Sequence, residues 1–61
     1  MNDPDVEIAL TEYRQAASDH NVPEHVADFV LEFTQRKCDE RHVTAHDRAG
    51  VIRWAIRSML S

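Results

Sequence analysis

The chain has 61 residues, 43% hydrophobic and 30% charged, with a formal net charge of −4. That balance suits one small soluble globular domain spanning residues 1–61 and excludes a disordered tract or a membrane bundle. The single cysteine, Cys38, rules out an intramolecular disulfide, and a chain this short hides only about 60% of its surface on folding, so a lone core is marginal and self-association is a usual remedy.

The opening residues, Met1-Asn2-Asp3-Pro4-Asp5, are acidic where a secretory leader would be basic and then apolar. Apolar runs such as Phe29-Val30-Leu31 and Trp54-Ala55-Ile56 are far short of the ~20 residues of a membrane span. The expected location is cytoplasmic. Asp3-Pro4 reads as a helix start, since Asp accepts from exposed N–H groups and Pro suits the first turn. Val6, Ala9, Leu10, Tyr13, Ala16 and Ala17 then recur at helical spacing, which predicts a first helix near 4–19. Asn21-Val22-Pro23 is the turn, because Pro23 disfavours helical dihedrals at Val22.

A second helix is predicted near 23–40, with Val26, Phe29, Val30 and Phe33 on its inward stripe. Beside that stripe runs Ala27-Leu31-Thr34-Cys38, so the apolar arc covers well over half the circumference. Thr44 with Asp47 resembles a capping box and opens a third helix near 45–60. Its inward residues are Ala45, Ala49, Ile52, Ala55, Ile56, Met59 and Leu60. No stretch alternates with period two, and the expected fold is an all-α, compact three-helix domain paired into a helical homodimer.

Residues off these stripes carry the functional signal. On the third helix Trp54 projects about 180° from the inward arc, near Val51, with Gly50 and Ser58 one turn to either side. Tryptophan is enriched at interface hot spots, and a glycine inside a helix points to close backbone approach. Gly50, Val51, Trp54, Arg57 and Ser58 are therefore the expected partner-binding patch; the plainer alternative is a third helix buried on all sides. Ile8 is a single outward apolar residue among polar neighbours, which is ordinary.

Charge is unevenly placed. Residues 1–32 hold eight acids and one base (Arg14), whereas 33–61 hold six bases and three acids. Such a split can steer association, but acids also suit early helical turns and bases late ones. Arg48, Arg53 and Arg57 on the third helix raise the alternative of a DNA-binding regulator. The net negative charge and the absence of a Gly-containing turn before that helix argue against it. Asp3, Glu7, Asp28 and Glu32 raise a further alternative, an acidic inhibitor imitating a phosphate backbone.

Cys38, His42 and His46 stand four apart, and His20 and His25 flank the first turn. An i, i+4 Cys/His pair can supply two of four zinc ligands. No CxxC is present, and His42 and His46 straddle a helix break, so a hydrophobically packed Cys38 with solvent-facing histidines is the preferred reading. A Cys38–His42 dyad lacks an evident oxyanion hole. No catalytic, cofactor-binding or metal residue is therefore assigned. The sequence leads to a non-catalytic helical binding or regulatory module that works by protein–protein interaction as a homodimer, its partner unidentified, nucleic acid disfavoured and no membrane involved.

Overall fold

A computed structural model describes residues 4–61, which form three helices: α1 (Pro4–Asp19), α2 (Glu24–Glu40) and α3 (Ala45–Leu60). No strand occurs among the described residues, and no helix there is long and apolar enough to cross a membrane. The radius of gyration is 11.0 Å, close to the ~10.5 Å expected of a single packed domain of this length. The Asp3 cap expected for α1 lies outside the described residues.

Both turns use one device. After α1, Val22 N–H bonds Ala17 C=O at 2.9 Å and Asn21 N–H bonds Ser18 C=O at 3.1 Å. After α2, Val43 N–H bonds Cys38 C=O at 3.0 Å and His42 N–H bonds Asp39 C=O at 3.2 Å. Each is a Schellman pair, which satisfies the last helical carbonyls and requires a left-handed residue between helix and valine. Asn21 (φ 58°) and His42 (φ 53°) take that role. Asn tolerates it well; His does so less readily than Gly would. The helix starts then differ. Pro23 has no capping side chain to offer α2, whereas Thr44 Oγ1 accepts from Asp47 N–H at 3.2 Å to open α3 as the capping-box spacing predicts.

α1 and α3 make the tighter seam. Ala9, Tyr13 and Ala17 of α1 and Ala49, Ile52, Ala55 and Ile56 of α3 are buried together with Ala27 and Leu31 of α2. Val6, Leu10, Ala16, Val22, Met59 and Leu60 pack half-buried around them. Tyr13 donates its hydroxyl to Ala27 C=O at 2.6 Å and so ties α1 to the start of α2. Ion pairs brace the outside: Arg53 Nε to Glu12 Oε2 at 3.0 Å, Arg14 to Asp28 at 3.6 Å, and Arg48 to Asp39.

The orientation of α2 departs from expectation. Ala27, Leu31, Thr34 and Cys38 are buried, whereas Phe29, Phe33 and Val26 are exposed and Val30 is half-buried. The helix is turned by about 120°, the angle between its two stripes at 100° per residue. Volume is the reason. α1 and α3 meet through alanines, and against that seat the small stripe brings less volume than two phenylalanines would. Thr34 is buried at little cost because its hydroxyl donates to Val30 C=O at 2.8 Å. Ala45, also expected inside, is exposed in the first turn of α3.

Candidate protein-interaction face

Turning α2 this way sends Phe29 and Phe33 outward, and with Trp54 of α3 three of the chain's four aromatic residues are exposed. Phe29 is 69% exposed, Trp54 65% and Phe33 49%, while among the described residues five of the ten buried apolar ones are alanines. Tyr13 is the one aromatic residue held inside, and exposing the other three departs from the usual distribution.

Phe33 and Trp54 border a groove of about 330 Å³ between the C-terminal half of α2 and the middle of α3, and Phe29 is exposed outside its lining. Phe33, Val43, Val51 and Trp54 line it, with Thr34 and Cys38 also in its wall. Lys37 and Arg41 add two cations, and the lining contains no acid. Lys37 holds its ammonium over the Phe33 ring, 5.5 Å from the centroid, and 3.4 Å from Glu40, so one cation is shared between a ring face and a carboxylate.

Of the patch expected from sequence, the structure brings Val51 and Trp54 into the groove. Gly50, Arg57 and Ser58 are exposed on α3 but do not line it. A Cβ placed on Gly50 would meet nothing within 4 Å, so no close approach inside this chain calls for glycine there. Periodicity overlooked Phe33, Phe29, Val26, Val43, Lys37 and Arg41. The available signal was the second stripe of α2, whose small residues fit an alanine-lined seat better than two phenylalanines do.

The remaining candidates are spread over the surface. Cys38 is buried, and His20, His25, His42 and His46 are exposed. Among the described residues no three His, Cys, Asp or Glu side chains are grouped so as to hold a metal ion. Arg48 and Arg53 are engaged with Asp39 and Glu12, and His46 Nδ1 stands 3.8 Å from Asp5. Asp28 is engaged by Arg14, while Glu7 and Glu32 are exposed. Burial, aided by the nearby Asp28 carboxylate, pushes the Tyr13 phenol above its ordinary pKa, with Arg14 opposing. Its hydroxyl is spent on the Ala27 carbonyl. No family model, no curated protein and no solved structure matches the chain.

Proposed function

We propose that this chain is a non-catalytic helical binding and regulatory module that acts by protein–protein contact, and that it works as a homodimer. One observation carries the reading: Phe33 and Trp54 stand exposed at an apolar groove between α2 and α3, with Phe29 exposed one turn before Phe33 on α2, while half of the described buried apolar residues are alanines. Exposed aromatic patches of this kind mark interfaces, and Trp is the residue most enriched among binding hot spots. Val51 and Trp54 anchor the contact on α3, and Gly50, Arg57 and Ser58 form its outer margin.

The ion pairs favour protein over DNA as the partner. An arginine that already neutralises a carboxylate of its own domain releases fewer counterions on a phosphate backbone. Two of the three α3 arginines, Arg48 and Arg53, are held in that way.

Trp54 is the only tryptophan, so its fluorescence reports on this face directly. Raising the concentration through the micromolar range should blue-shift its emission and reduce its acrylamide quenching. Sedimentation equilibrium should show twice the monomer mass over the same range, and Trp54→Ala should return the chain toward monomer. A chain that stays monomeric with a fully quenched, red-emitting Trp54 at all concentrations would remove the homodimer from this reading.

A further inference from the structure

Resting on that reading, we infer that the occupant of the face is a second copy docked through α2 in antiparallel orientation, with Phe29 of each chain against Phe33 of the other. The seam is thus made chiefly by α2, and Trp54 flanks it from α3.

Three features lead there. The first is continuity: Val26, Phe29, Val30 and Phe33 occupy one stripe of α2, separate from the stripe that faces the core. An exposed helix needs no such stripe, whereas a helix–helix seam does. The second is area. At roughly 150–250 Å² per aromatic side chain, the exposed fractions of Phe29, Phe33 and Trp54 present about 300–450 Å². Val26, Val51 and the stems of Lys37 and Arg41 extend this toward the ~800 Å² per partner of a standard interface.

The third is the charge order along α2, which decides orientation. From Glu24 to Glu32 the helix has three acids and neither Lys nor Arg; from Phe33 to the capping Arg41 it has three bases and two acids. Ion pairs within the chain engage Asp28 (by Arg14), Asp39 (by Arg48) and Glu40 together with Lys37, so the remaining charges along α2 are Glu24 and Glu32 at one end and Arg36 and Arg41 at the other. A strip with an acidic end, an apolar middle and a basic end is its own complement when turned through a two-fold axis. Parallel docking would set acid against acid and base against base, and would align the helix dipoles. With the axis midway between Phe29 and Phe33, Val26 of one copy faces Arg36 of the other. Val30, on the stripe and one residue from the axis, then lies nearest its own twin in the seam.

Cysteine cross-linking tests the arrangement. In a Cys38→Ser background, Val26→Cys and Arg36→Cys are made as separate chains; both positions are exposed. Antiparallel docking places each new thiol about 15 Å from its own twin, given 1.5 Å of rise per residue, and opposite the other variant's thiol. Mild oxidation should therefore leave each variant unlinked on its own and yield a disulfide-linked dimer when the two are mixed. Phe29→Ala should weaken association at least tenfold, and Ile8→Ala on the far side of the molecule should leave it unchanged. Self-linking of Val26→Cys would overturn the antiparallel seam while leaving the homodimer standing. A sedimenting dimer in which neither variant cross-links, alone or mixed, would move the seam off α2. A monomer by sedimentation would defeat both this seam and the homodimer.

Discussion

The α1–α3 seam and the outer face of α2–α3 draw on the same kinds of residue to opposite ends. In the seam, Ala9 and Ala49 let the backbones approach, and Tyr13 and Ile52 fill the remaining space with at most 1% exposure. On the outer face the large side chains stand apart, and the groove between them is open. The seam's polar atoms are satisfied from within the chain, as Tyr13 is by Ala27 C=O. The face instead has cations along its groove and no acid in the lining. Close-packed residues are held by neighbours that cannot yield, so their stability is intrinsic to the chain. A face without a cover contributes only when something binds it, and its contribution follows concentration.

The largest expected effect breaks the seam. Ile52→Ala removes a wholly buried side chain and should cost about 2–5 kcal/mol, against a total stability of roughly 3–9 kcal/mol for a chain of this length. Denaturant melts should show the loss at every protein concentration. Phe33→Ala is the counterpart on the face. At high dilution it should stay within about 0.5 kcal/mol of the parent, as surface changes do, and its deficit should grow with concentration. Equal, concentration-independent losses for the two variants would erase the distinction between seam and face.

Much of this was legible from spacing, and the reasons for the rest are physical. Helical recurrence located all three elements, and the Thr44–Asp47 cap marked the start of α3 within a residue. Trp54 was correctly placed opposite the core because α3 has a single apolar arc. α2 has two. Hydrophobicity favours Val26-Phe29-Val30-Phe33 as the inward one, and the fold uses Ala27-Leu31-Thr34-Cys38. The choice depends on the depth of the seat between α1 and α3, and α2's own sequence does not encode that depth. The bond from Thr34 to Val30 C=O, by contrast, is local to α2, since a helical threonine can donate to the carbonyl four residues back. The groove went unseen because Phe33, Val43 and Val51 come together only once α2 is turned.

A smaller effect should separate the two regions by pH. The Tyr13 phenol is raised in the folded chain, so the protonated form is the one that fits the seam. The unfolded chain ionises first, near pH 10, and binds fewer protons than the folded chain above it. Stability should therefore hold through neutral pH and fall as pH rises past 10 toward the folded pKa. Tyr13→Phe should cost about 0.5–1.5 kcal/mol at pH 7 by losing the bond to Ala27, and should flatten that alkaline decline. An unchanged alkaline slope in the variant would assign the decline to another group.

The smallest effect concerns Gly50, where the two regions meet the question of which helix makes the dimer. Glycine in a helix interior forfeits about 0.5–1 kcal/mol relative to alanine through the freedom of its unfolded backbone. The added Cβ has open space within the chain, so Gly50→Ala should raise the melting temperature of the dilute monomer. What it does to association discriminates between helices. If α3 formed the seam, with Gly50 and Ser58 admitting a neighbouring backbone on either side of Trp54, the methyl group would intrude and the dimer would weaken as the fold strengthened. With the seam on α2, Gly50 stays at the margin, so association should be unchanged while stability rises at every concentration. Sedimentation and thermal melts on the same samples read both quantities. A stabilised chain that dimerises less well would return the seam to α3.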